Sequence, residues 1–136
     1  MKIVVDTNVL VSGLLSAFGP PAQILRLLVS GDLLICYDAR IIAEYDDVLN
    51  RPKFGFDKDA VAQLLDYLAR NGHAVAAVPL TRPLPDADDE PFLEVAISGQ
   101  ADFLVTGNMS HFPKRLCNEM NILSPADFLA LYKKDK

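Results

Sequence analysis

Apolar residues along this chain fall into two patterns that alternate from one end to the other. Short continuous runs at residues 3–5, 33–37, 73–78, 103–105 and 121–123 have the length and the β-branched or aromatic content of buried strands. Between them, apolar residues recur every three or four positions. Residues 22–30 place Ile24, Leu25, Leu27 and Leu28 on one helical face, opened by Gly19-Pro20-Pro21 and closed by Gly31. Asp38 is placed to cap a helix reaching about residue 49, with Ile41, Ile42, Tyr45, Val48 and Leu49 as its buried stripe and Pro52 as its stop. Asp57 opens another, carrying Val61, Leu64, Leu65 and Leu68 up to Asn71-Gly72. Residues 81–87, with Pro83 and Pro85, read as loop. A helix over 88–98 carries Phe92, Leu93, Ala96 and Ile97, and Ser124-Pro125 starts a last one before a polar tail, 133–136, expected to fray.

Strands alternating with helices predict an α/β fold, a parallel sheet covered by helices on both faces. There is no internal repeat and no composition break, so residues 1–136 read as one domain, long enough to bury about two thirds of its unfolded surface. No segment reaches the ~18 uninterrupted apolar residues of a membrane span. Asp6 and Asn8 interrupt what would be the apolar core of a secretion signal. Cys36 and Cys117 are therefore expected as free thiols in a reducing cytoplasm, and no Cys/His spacing points to zinc.

Charge narrows the function. Eighteen acidic residues against thirteen basic ones leave a net charge of −5, with a pI near 4.8. A protein that coats duplex nucleic acid is usually basic. Any nucleic-acid contact here must be local, or carried by a cation that offsets carboxylates.

Several carboxylates sit where apolar neighbours are expected. Asp6 stands between Ile3-Val4-Val5 and Val9-Leu10-Val11, at the carboxyl end of the first strand, where open α/β sheets bind ligands. Glu44 lies at the edge of the 39–49 stripe, with Asp46 and Asp47 turned away. Asp89 lies within the stripe of the next acidic helix, three before Phe92 and four before Leu93, while Asp88 and Glu94 are expected to point elsewhere. Asp86 and Asp88 suit capping and a helix dipole as readily as a site. Asn108 follows the strand at 103–105. If that strand neighbours the first, Asp6, Glu44, Asp89 and Asn108 converge. Like charges so close need a counter-charge, and Mg²⁺ or Mn²⁺ suits an all-oxygen set.

The ordered set Asp6-Thr7-Asn8, Glu44, Asp89 and Thr106-Gly107-Asn108 resembles the PIN-domain nucleases. Residues 86–93 and 99–107 are similar to a branch grouped with toxins of bacterial toxin–antitoxin modules, akin to the VapC ribonucleases. The resemblance implies a Rossmann-like three-layer α/β/α sandwich around a parallel sheet of four to five strands. It implies Mg²⁺- or Mn²⁺-dependent cleavage of RNA in the cytoplasm, an antitoxin partner and often a homodimer. Asp6, Glu44 and Asp89 match the acidic catalytic and metal-ligand positions. Asn108 matches a fourth ligand position usually held by Asp, and Thr7, Asn8 and Thr106 match supporting polar positions. Asn108 brings no charge, so metal binding is expected to be weaker than in relatives.

Basic residues for phosphate contact are sparse. Lys114 and Arg115 lie near the 106–108 loop and are the candidates for substrate binding. Arg51 and Lys53 follow Glu44, and all four also fit as solvated surface charges. His111 fits either substrate contact or simple exposure. Rival readings fit less well. A haloacid-dehalogenase-type phosphotransferase needs an acid where Asn8 stands, a receiver domain lacks its paired N-terminal acids, and a nucleotide-binding Rossmann domain lacks its glycine-rich loop. A PIN-like module that binds RNA or protein without cutting is the alternative that Asn108 favours.

Overall fold

Ile3, Val4 and Val5 are each wholly buried, because β1 (Lys2–Val5) is the central strand of a sheet covered on both faces. The computed structural model of the chain describes residues 1–117 and 120–135. Its strands are β1, β2 (Leu34–Tyr37), β3 (His73–Ala74), β4 (Phe103–Val105) and β5 (Ile122–Leu123), all parallel, in the order β3-β2-β1-β4-β5. The helices are α1 (Thr7–Leu15), α2 (Pro20–Ser30), α3 (Ala39–Leu49), α4 (Lys58–Asn71), α5 (Glu90–Ser98) and α6 (Pro125–Lys134). From β1 to β2 the chain steps one way across the sheet, and from β3 to β4 it steps back. Right-handed crossovers then place α2 and α5 on opposite faces. The expected α/β layering with five parallel strands is present.

The point where the chain reverses direction across the sheet lies between β1 and β4. There Val5 pairs with Val105, so Asp6 and Thr106 emerge side by side from adjacent strand ends. In open α/β sheets, ligands bind in the crevice at such a topological switch point.

Local chemistry accounts for most helix boundaries. Asp38 accepts from the amides of Arg40 and Ile41, Asp57 from Ala60, and Ser124 from Asp127. Gly31 closes α2 at φ +86°, a left-handed backbone that suits glycine. Ile41, Tyr45 and Leu49 form the buried line of α3, with Ile42 and Val48 half-buried.

One helix is additional to those expected, and three expectations need correction. Residues 7–15 form α1, which the apolar pattern did not reveal: Asn8, Ser12 and Gly13 are poor helix formers and no side chain caps the start. The third strand is two residues, not six. After Val75 donates to the Tyr37 carbonyl the chain leaves the sheet and runs beside α5. The helix expected from residue 88 begins with a 3₁₀ turn, Ala87–Asp89, before α5. The C-terminal tail stays helical through Lys134, and Lys136 lies outside the described residues.

Candidate active site

Asp6 sits in the N-cap position of α1, yet makes no side-chain cap bond. Its carboxylate turns instead toward β4. Oδ2 accepts from the Thr106 hydroxyl at 2.8 Å and from the Asn8 amide at 3.3 Å. Thr106, wholly buried, in turn accepts from the Asn108 backbone N–H at 3.0 Å. Asn8 Oδ1 accepts from the Gly107 N–H at 3.0 Å. A Cβ on Gly107 would stand 3.3 Å from that same Oδ1, so the close approach favours glycine. The first turn of α1 and the 106–108 loop are thereby locked together around Asp6.

Glu44 reaches the same side from the second turn of α3, where it is half-buried and accepts from the Thr7 hydroxyl. Tyr45, the next residue, is wholly buried and donates its hydroxyl to the Val5 carbonyl. β1 pairs with β2 at Lys2 and Ile3, and this phenol partners a carbonyl nearer the carboxyl end of the strand. It ties α3 to the residue before Asp6.

Asp89 repeats the behaviour of Asp6. It occupies the N-cap position of α5 without making a side-chain cap bond, and it is only 8% exposed. Asp86 does cap, accepting from the Asp88 N–H, and Asp88 is exposed. His111 Nδ1 lies 3.0 Å from Asp89 Oδ2. The two are close enough for charge attraction but lack hydrogen-bond alignment, so Oδ2 remains a buried acceptor with no hydrogen bond.

The electrostatics agree with this geometry. Burial raises the Asp6, Glu44 and Asp89 carboxyls above their ordinary values. For Asp89 the result is about 6: burial dominates, the Asp6 charge adds to it, and His111 opposes it. Asp6 also raises Glu44, while the Thr7 hydroxyl lowers it. The three acids feel one another and lack a full counter-charge.

The remaining candidates are placed less uniformly. Asn108 is half-buried and turns its amide nitrogen to the His111 ring, 2.9 Å from Nε2. His111, with 41% of its side chain exposed, is therefore part of the site rather than a bystander on a loop. Lys114 and Arg115 are exposed, with no ion pair among the described residues. Arg51 pairs with Asp47 at the exposed surface and its charge lowers the Glu44 carboxyl, while Lys53 lies over the Phe54 ring. Glu94 does not point to solvent as expected. It is 7% exposed and ion-paired to Arg40. The sequence offered one signal for this: α5 is apolar on every side of Glu94, with Phe92, Leu93, Val95 and Ala96 all buried.

Among the described residues, no three Asp, Glu, His or Cys side chains close on one point as a finished metal cage. The acid oxygens of Asp6, Glu44 and Asp89 lie near one another, and Asp89 Oδ2, 3.0 Å from His111 Nδ1, accepts no hydrogen bond. That combination fits a hard divalent cation in kind.

A doubly wound parallel sheet with acids gathered at its switch point defines the class. The chain belongs to the PIN-domain family, whose model matches residues 2–110. PIN domains are generally nucleases and generally use divalent metal ions. Among solved structures, the chain is similar to one described as VapBC2 from Rickettsia felis bound to a DNA fragment from their promoter. The TM-score is 0.57 and the identity 14%, over 91% of this chain and 98% of the other. No curated protein matches the chain. No single helix is long and apolar enough to cross a membrane.

Proposed function

We propose that the protein is a metal-dependent endoribonuclease, the toxin of a toxin–antitoxin pair. The observation that carries the nuclease reading is the contrast among helix starts. Asp38, Asp57 and Ser124 cap their helices, whereas Asp6 and Asp89 leave theirs uncapped and turn toward one crevice. Asp6 and Asp89 would hold Mg²⁺ or Mn²⁺, Asn108 would offer a neutral oxygen, and Glu44 would hold the ion through water or orient the attacking water. Bound there, the ion would supply positive charge to a phosphate oxygen and a more acidic water.

The chain's own residues prepare that chemistry. Thr106 fixes the rotamer of Asp6, and Thr7 fixes that of Glu44. Asn8 and Gly107 keep the floor of the crevice rigid. Lys114 and Arg115, exposed and following the 109–111 turn in the chain, would be the side chains to meet RNA phosphates. The likeness in fold to a VapBC2 complex supports an antitoxin partner. The exposed apolar side chains Leu15, Phe18 and Val29 would give an antitoxin or a second copy something to bury. Cytoplasmic residence belongs to the same reading, and the buried free thiols Cys36 and Cys117 suit it.

The test is RNA cleavage by wild type and Asp89→Asn, with and without Mn²⁺. Metal-dependent cleavage lost in the variant is the expected result. The half-engaged Asn108 amide favours one alternative, a PIN-like module that binds RNA or protein without cutting. No Mn²⁺ binding at millimolar concentration, together with no cleavage, would favour it.

A further inference from the structure

Glu94 is a buried acid that the nuclease chemistry does not use, and its two oxygens go to different elements. Oε1 accepts from Arg40 Nη1 at 2.7 Å, and Oε2 accepts from the Leu80 N–H at 3.1 Å. Arg40 is held in turn: Asp38, the cap of α3, accepts from its Nε at 2.9 Å and its Nη2 at 2.7 Å. The planar guanidinium therefore spans from the start of α3 to the middle of α5, a geometry that a fork of fixed donors suits.

The contact with Leu80 belongs to a series. Leu84 N–H donates to Glu90 at 3.0 Å, Leu80 N–H to Glu94, and Val78 N–H to Ser98 Oγ at 2.9 Å. Residues 90, 94 and 98 are spaced four apart, so they share one face of α5. That face supplies acceptors to a segment that has left the sheet, and the segment leads directly into Asp86 and Asp89.

Arg40 lies one turn before Glu44 on α3, and Glu94 lies five residues after Asp89. The bridge therefore joins the two helices that carry two of the three site acids. Inside, Tyr45 and Phe92 pack with ring centroids 6.2 Å apart. We propose that Arg40 and Glu94 are positioning residues, a polar strut that fixes the spacing of Glu44 and Asp89 for the metal. The inference rests on the nuclease reading above.

Glu94→Gln is the discriminating variant. Its amide oxygen can keep the Leu80 bond, while its NH₂ can no longer accept from Arg40. Mn²⁺ binding is measured by calorimetry, RNA cleavage as kcat and KM separately, and folding by thermal melting. Glu94→Gln should weaken Mn²⁺ binding and lower kcat by on the order of tenfold, with KM and Tm nearly unchanged, as expected when groups are slightly misplaced. Arg40→Ala should weaken binding and kcat similarly and also lower Tm, because it leaves the buried Glu94 without its cation. The double variant should be no worse than either single one. Arg40→Lys, which keeps the charge but loses the fork, should fall between. Wild-type affinity in Glu94→Gln, or losses in that variant that merely track a lower Tm, would overturn the positioning role alone. A wild-type protein that neither binds Mn²⁺ nor cuts RNA would overturn the nuclease reading and the strut's role with it.

Discussion

Replacing Asp89 by Asn should make the metal-free protein more stable at neutral pH, although it removes a site residue. The Asp89 carboxyl is raised from 3.8 to about 6. Between those values the folded state binds more protons than the unfolded state. Stability therefore falls as pH rises through that window and stays lower above it. A shift of two units corresponds to about 3 kcal/mol at 1.36 kcal/mol per unit. The crevice opens to solvent, so screening reduces the effective penalty to about 1–2 kcal/mol. Asn carries no charge and escapes it. For a chain of this size the gain should appear as a rise in Tm of about 3–8 °C. The assay is thermal unfolding in EDTA from pH 4 to 8. The gain of Asp89→Asn should be full at pH 7.5 and vanish near pH 4, where wild-type Asp89 is largely protonated. Saturating Mn²⁺ should reverse the order by stabilising wild type alone. A variant that is less stable than wild type at pH 7.5, or a difference that ignores pH, would refute the account of Asp89 as a buried, under-compensated charge.

Three further outcomes follow from neighbouring contacts. Mn²⁺ affinity, measured by calorimetry, should fall as pH drops from 7.5 to 5, because the proton taken up by Asp89 near pH 6 must leave before a cation binds. Thr106→Val keeps the shape but removes the hydroxyl that donates to Asp6 and accepts from the Asn108 N–H. It should cost about 1–3 kcal/mol in urea unfolding and weaken Mn²⁺ binding about tenfold. Asn108→Asp should tighten Mn²⁺ binding and lower the stability of the metal-free protein. If binding weakens instead, Asn108 is not at a ligand position.

The sequence made some of this legible and hid the rest for identifiable reasons. Asp6 was conspicuous because it interrupts two apolar runs, and Asp89 because helical spacing sets it among Phe92, Leu93 and Ala96. Strand order was only conditional in the sequence: nothing local says that β1 and β4 are neighbours. That adjacency comes from the crossover of the whole chain. The segment after Val75 looked like strand because its apolar pattern continues. Its amides in fact find partners in Glu94 and Ser98, a tertiary choice that a local window cannot see. His111 has the same history, since its nearness to Asp89 depends on the 109–111 turn folding back over the crevice.

The helix starts show why residue type alone could not separate structure from function. Five aspartates stand at the N-cap of a helix or 3₁₀ turn: Asp6, Asp38, Asp57, Asp86 and Asp89. Three give an oxygen to their own backbone, as aspartate at that position ordinarily does. Asp6 and Asp89 make no cap bond of that kind, and both are buried. Asp6 exchanges that cap for the Thr106 hydroxyl and the Asn8 amide, whereas Asp89 Oδ2 accepts no hydrogen bond; burial raises both carboxyls, so both positions carry a charge that a bound cation would stabilise. Stability and activity therefore pull in opposite directions at the same two side chains. An asparagine at Asp6 should shift both, as at Asp89: a more stable metal-free fold and no metal-dependent cleavage. An Asp6→Asn protein that is both less stable without metal and still active would show that the Thr106 hydroxyl, not a cation, is the partner for which Asp6 leaves its helix uncapped.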